Sequence, residues 1–286
     1  MTAFALSLVL ASAVAHATWN LFAKRAGGGI PFLWLALALS IPLYAPAAFV
    51  VLLVTGATIG PAVIAWTFVN AGLNVAYFIF LQRGYRAGDL SIVYPLARGT
   101  GPVLATIGAI ILFGERPTPL AIMGAIAIAV GVLVLTGDPR KLRQRGVGAA
   151  VGYALLTGVT IAAYTLWDKR GVSGLLIPPI LYEWGSNVWR VLILSPLALP
   201  RWPEIQAQWS ANRTPAIAVA ILSPLAYMLV LTALVVSPVS YVAPAREIGI
   251  LFGVILGARS LAEADPARRS FAAVLMVGGV IALALG

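Results

Sequence analysis

Leu90-Ser91-Ile92-Val93-Tyr94-Pro95-Leu96-Ala97-Arg98 opens an apolar segment that ends at Glu115, and Val239-Ser240-Tyr241-Val242-Ala243-Pro244-Ala245-Arg246-Glu247 opens another that ends at Glu263. Pro95 recurs as Pro244 after 149 residues, and Glu115 as Glu263 after 148. The Lys24-Arg25 pair that closes the first apolar segment recurs as Lys169-Arg170 after 145. Each half holds about five apolar segments of membrane-spanning length. Five is odd, so the second half should cross the bilayer upside down relative to the first. Inverted repeats are a common internal architecture of secondary transporters. The expectation is an all-α membrane protein with ten transmembrane helices in two inverted five-helix repeats, 1–136 and 147–286, joined by a basic linker at 137–146.

Composition agrees with a lipid setting. The 286 residues are 61% hydrophobic and 10% charged, with mean hydropathy +0.97. Soluble domains carry roughly 25% charged residues. So few charges cannot clothe a water-facing surface, and no stretch is long and polar enough for a catalytic domain outside the bilayer. Cysteine is absent and histidine occurs once, which excludes disulfides, thiol catalysis and a zinc constellation. There is no Gly-Lys-Ser/Thr phosphate loop, and Gly27-Gly28-Gly29 reads as a turn. The chain is read as a non-enzyme without cofactors. Its net charge of +10 would suit nucleic acid in a soluble protein. Here the basic residues sit at segment ends, where they hold loops on one side of a membrane. The partners expected are a bilayer and a small-molecule substrate, without nucleic acid; the oligomeric state is left open, and a monomer is compatible with the sequence. Ala13-Val14-Ala15 resembles a signal-peptide cleavage site, but no basic residue precedes it, and the segment has a partner near 147–168.

Spans are read at 3–24, 30–54, 61–82, 89–113, 118–136, 147–168, 174–199, 214–236, 239–258 and 268–286. Numbering the loops between them, odd loops carry thirteen Lys or Arg residues and even loops carry Arg116, Lys169 and Arg170. Basic loops stay in the cytoplasm. This places the chain in a bacterial-type inner membrane with both termini outside.

Several of these motifs resemble one superfamily. Leu90 to Arg98 looks like the start of the fourth helix of the EamA-type drug/metabolite transporters. Leu112-Phe113-Gly114-Glu115-Arg116, then Gly124 and Gly131, looks like the end of that helix and the fifth helix. Val239 to Glu247, with Glu263 and Gly278-Gly279, is a weaker second copy. The resemblance covers nearly the whole chain and is specific for the superfamily, not for substrate. It implies a ten-helix inverted-repeat carrier whose helices one, three, four, six, eight and nine surround a central cavity. Members move amino acids, sugars, nucleotide sugars, cofactors or other metabolites, often outward. Size and copy number are similar to the YddG-type amino-acid exporters. The chain departs from the pattern in two ways. Its first helix lacks the acid that couples small multidrug relatives to protons and has only His16. The cytoplasmic termini usual for ten-helix members conflict with the charge count.

An ionisable residue at the bilayer centre costs roughly 2.5–3.5 kcal/mol on insertion scales, so it faces a cavity or a partner. Arg98 lies in the fourth span, and its counterparts are Arg246 and Glu247 in the ninth. These guanidinium groups either hold a substrate carboxylate, or Arg246 pairs with Glu247 or another acid and fixes packing. Pro95 and Pro244 either act as hinges or line a cavity, or simply bend their helices. His16, Trp19 and Asn20 share one face of the first span, as Tyr164 and Trp167 share one face of the sixth. These aromatic faces suit the walls of an apolar site or interfacial anchors.

Asn70, Asn74 and Tyr77 share a face of the third span, and carboxamides in lipid require partners, either substrate or neighbouring helices. Tyr94, Tyr227 and Tyr241 are further polar-aromatic candidates. Glu183, Asn187 and Arg190 share a face of the seventh span, where a packing network is favoured. Small residues in the fifth and tenth spans mark a scaffold or a dimer surface. Glu183 and Glu247 are taken as the intramembrane acids.

The expected function is a secondary carrier that exports small amphipathic metabolites, most of all amino acids including large neutral and aromatic ones, by alternating access. The rivals are a nucleotide-sugar or organophosphate exchanger, and a non-transporting membrane enzyme or assembly partner. Internal symmetry weighs against the last.

Overall fold

The structure is a computed structural model that describes all residues except Gly28, Asp89, 137–146 and 258–265. The basic linker and Glu263 therefore lie outside the described residues. Among the described residues the chain is all-helical, without strands. The helices are α1 (Ala3–Arg25), α2 (Ile30–Thr55), α3 (Pro61–Ala87), α4 (Leu90–Phe113), α5 (Pro119–Thr136), α6 (Gly148–Lys169), α7 (Pro179–Ala198), α8 (Trp202–Ala211), α9 (Arg213–Val236), α10 (Val239–Ala245), α11 (Ile248–Gly257) and α12 (Pro266–Leu285). Among the described residues six stretches are long and apolar enough to cross a membrane: α1, α2, α3, most of α4, α6 with the π-helical turn at its end, and α9.

Each apolar segment read from the sequence is helical over most of its described length, with two further differences. The segment at 239–258 breaks at Arg246-Glu247 into α10 and α11. The polar stretch after α7 forms α8, a short helix whose Ile205 is buried while its other residues stay largely accessible.

Packing is set by what each helix has on its faces. α1 lies on α9, where the Ser12 hydroxyl donates to the Ala226 carbonyl at 2.7 Å. α2 lies on α7, where Trp34 Nε1 donates to Ser195 Oγ and Trp184 Nε1 donates to the Ile41 carbonyl, both at 3.0 Å. α5 lies on α12 at close range, because a Cβ on Gly124 would fall 2.6 Å from the Gly279 carbonyl oxygen, and one on Gly279 equally near the Gly124 carbonyl. α4 and α3 both pack on α6, and α1 packs on α11.

The ends of the bundle differ in chemistry. At one, the α1 C-terminus, the α2 N-terminus, α8 and the α9 N-terminus share an apolar cluster of Ala26, Phe32, Ile205 and Ala216, beside Lys24, Arg25, Arg201 and Arg213. At the other, the Glu115 carboxylate accepts from the backbone N–H groups of Val239 and Ser240, at 2.7 and 2.8 Å. It caps the N-terminus of α10, where the helix dipole favours an anion. Lys169, read from the sequence as a loop charge, instead donates to the carbonyls of Leu234 and Ser237, at 2.6 and 3.1 Å, at the C-terminus of α9.

Candidate functional site

Polar and aromatic side chains from α1, α3, α4, α6, α7, α9 and the α10–α11 break form two linked clusters. The first is built on α6, α3, α7 and α9. Asp168 is 1% exposed. Its Oδ1 accepts from Asn70 Nδ2 at 2.6 Å and from the Tyr182 hydroxyl at 2.9 Å, and its Oδ2 from the Tyr227 hydroxyl at 2.5 Å. Asn70 Oδ1 accepts in turn from Arg190 at 3.1 Å. Arg190 is bound to Glu183 at 3.0 Å and to Asn187 at 2.8 Å, and its guanidinium lies 5.5 Å from the centre of the Tyr227 ring. The packing network expected for Glu183, Asn187 and Arg190 is present and reaches three more helices, α3, α6 and α9. Asn74 donates to the backbone and side-chain oxygens of Asn70, at 3.0 and 3.3 Å, which stiffens that face of α3.

Asp168 is absent from the intramembrane acids read from the sequence. Its neighbours Lys169 and Arg170 make it read as the polar end of a span. The available signal is its place one turn after Tyr164, on the same face of α6.

The second cluster lies at the break in the ninth segment. Arg98 Nε stands 3.0 Å from Glu247 Oε2, and both residues are buried. The expected alternative, that Arg246 pairs with Glu247, is corrected: Glu247 faces α4 and is taken by Arg98. Arg246 is only partly buried, and its guanidinium makes no hydrogen bond or ion pair with any described residue. Its charge still acts on His16, Asp168 and Glu247. The local backbone explains its position. Pro244 has no N–H to donate, and past it Glu247, Gly249 and Ile250 donate to carbonyls only three residues back. These tighter turns swing Arg246 and Glu247 to different neighbours.

Aromatic rings join the clusters. His16 and Trp19 meet edge to face at 5.1 Å, Tyr77 and Tyr164 at 6.1 Å, and Tyr164 and Tyr227 lie 6.5 Å apart. Tyr94 lies one turn before Arg98, close to its guanidinium. His16, Trp19, Tyr77, Tyr94 and Tyr227 keep part of their surface accessible.

Three candidates are not brought into this group. Asn20 is exposed and donates to the carbonyl of His16 on its own helix, at 2.7 Å. Trp167 stacks on Trp66 with centroids 3.8 Å apart, and each indole N–H donates to the other's backbone carbonyl, at 3.0 and 3.1 Å. That pair ties α3 to the end of α6. Tyr241 accepts from the Thr118 N–H and donates to the Gly286 carbonyl, both at 3.3 Å, which places it against α5 and α12. Pro95 is buried within an unbroken α4, so the two proposed hinges differ. Among the described residues no cluster of His, Asp and Glu could hold a metal ion.

No protein-family model matches the chain. A solved crystal structure is similar over 98% of this chain and 98% of its own, with a TM-score of 0.75 and 17% identity. At that identity the likeness is one of fold: a very different sequence adopts the same arrangement of helices.

Proposed function

We propose that the protein is a secondary carrier of the EamA type that exports amino acids, large neutral and aromatic ones among them, across a bacterial-type inner membrane by alternating access. Arg246 carries this reading. It is a partly accessible guanidinium whose side chain has no partner among the described residues, at a helix break, and close enough to His16 and Asp168 for its charge to act on both. A substrate carboxylate would take the place of its missing acid. His16, Trp19, Tyr77, Tyr164 and Tyr227 would hold the side chain.

The packing supports ten spans in two inverted repeats. Take α10 and α11 as one span and leave out α8. Exchanging the halves then maps α1 on α9 onto α6 on α3, and α4 on α6 onto the ninth span on α1. It maps α2 on α7 and α5 on α12 onto themselves. Under the 149-residue offset Arg98 corresponds to Glu247, so their ion pair crosses the exchange axis. Rocking of the halves about that axis would alternate access. The loop charges favour termini on the outside.

An organophosphate exchanger is served less well, because Arg98 is already neutralised by Glu247 and, among the described core residues, Arg246 alone is a small supply for a phosphate. The test is efflux of labelled amino acids from liposomes holding the purified protein. Selective release of large neutral and aromatic ones, lost in Arg246→Ala and Trp19→Ala, is the expected outcome. Equal release by the variants, or release of sugars or phosphate esters alone, sinks the assignment.

A further inference from the structure

We propose that Asp168 is a proton-binding carboxylate that couples this carrier to a proton gradient, with the Tyr227 hydroxyl as its connection to the substrate site. The inference rests on the carrier reading above and adds the coupling group.

Charge balance in the core singles out Asp168. Among the described residues the core of the bundle holds three acids and three arginines outside the loops. Glu183 is paired with Arg190 and Glu247 with Arg98. Asp168 and Arg246 remain, and among the described residues neither has an ion-pair partner. Asp168 is buried, and a buried carboxylate without a cation is costly unless it is well hydrogen-bonded or protonated. The groups that face it come from several elements. From α3 comes Asn70, and from α7 come Tyr182 and the internally paired Glu183 and Arg190. From α9 comes Tyr227, from the break Arg246, and from its own helix Tyr164. None is a cation in contact. The bound donors are two hydroxyls and one carboxamide, which favour the ionised form, while burial favours the neutral one. Such a balance is what a reversible proton site requires.

The geometry also gives the proton a route. Among the described residues Oδ2 accepts only from Tyr227, whose hydroxyl also accepts from Asn70 Nδ2 at 3.3 Å and whose ring is partly accessible and tilts toward Tyr164 among the substrate-facing aromatics. A hydroxyl both donates and accepts. It can receive the proton from Oδ2 as it releases its own to water in the substrate space. A zwitterionic substrate with its carboxylate on Arg246 brings an ammonium group toward Tyr227 and Asp168. That positive charge opposes a proton on Asp168, so substrate and proton exclude one another. Mutual exclusion at one alternating site is antiport, and inward protons would then drive outward substrate.

The test uses the full chain in proteoliposomes with labelled phenylalanine, together with infrared difference spectra of the same preparation. The wild-type apparent KM is expected to rise on acidification, by up to about tenfold per pH unit where the proton competes. Asp168→Asn should make that profile flat whatever its absolute rate, and should remove a protonated-carboxyl band that grows as pH falls. Tyr227→Phe keeps the carboxylate and the ring, and should displace the acid limb. A pH slope that survives in Asp168→Asn, or an unchanged carboxyl band, overturns the proposal. If wild-type protein moves no amino acid, the carrier reading fails. The infrared band still decides Asp168: loss in Asp168→Asn upholds the proton site, and persistence refutes it.

Discussion

α4 and the α10–α11 pair begin alike, with an apolar run, a proline at the sixth helical residue and an arginine soon after. One stays a continuous helix through Phe113, while the other breaks at Arg246-Glu247. Proline alone therefore does not decide whether such a helix breaks. It removes one donor in both, and the course of the chain beyond it is settled by neighbours. On the α4 side Arg98 is held by Glu247. On the other side Gly249 lies against Ala13 of α1, with a Cβ at that position 3.6 Å from Ala13. One arginine becomes part of the frame, and the side chain of the other has no partner among the described residues. A motif repeated in sequence thus does two jobs, because the bundle compensates one charge and leaves the other.

The sharpest way to break this comparison is to remove each arginine separately. Arg98→Ala leaves Glu247 buried without its cation, and should cost about 3–5 kcal/mol in denaturation of the detergent-solubilised protein. Arg246→Ala should stay within about 0.5 kcal/mol of wild type, yet lower transport by about tenfold or more. Equal destabilisation by the two would show that Arg246 is structural as well. Next in size is the Trp66–Trp167 pair, which contrasts with the partly accessible rings of Trp19, Tyr77 and Tyr227. Either alanine variant should cost about 3 kcal/mol, and a double-mutant cycle should show coupling of about 1 kcal/mol. Additive costs would mean that the stack is incidental.

The prolines come third. Pro244→Ala should slow exchange about tenfold by letting the ninth span straighten, and Pro95→Ala should change it about twofold at most. Like effects would make both prolines simple bends. Smallest is Glu115→Gln, which weakens the cap on α10 and should cost about 1 kcal/mol of stability. No loss would show that the carboxylate contributes only position.

Much of the helix layout was legible because lipid imposes it. A run of about 20 apolar residues has one stable form in hydrocarbon, a helix that satisfies its own backbone. Gly56, Pro61, Pro119 and Ser237-Pro238 mark ends for local reasons that chain sequence carries. The site was legible only in part. Spacing put Asn70, Asn74 and Tyr77 on one face, and Glu183, Asn187 and Arg190 on another. It could not say that Asn70 bridges Arg190 to Asp168, since that link joins residues 98 and 120 positions apart. Asp168 itself was obscured by Lys169, whose ammonium turns away to the end of α9.

Composition, apolar run length and turn residues determined by themselves that this chain is helical, with segments long and apolar enough to span a membrane, because those properties act on each segment alone. Which acid meets which arginine was decided only by tertiary structure. Each ion pair depends on two helices arriving at the same depth and facing the same way. Asp168 and Arg246, without ion-pair partners among the described residues, are left over once Glu183 and Glu247 have been taken. No local pattern marks a charge as left over, because that is a property of the whole fold.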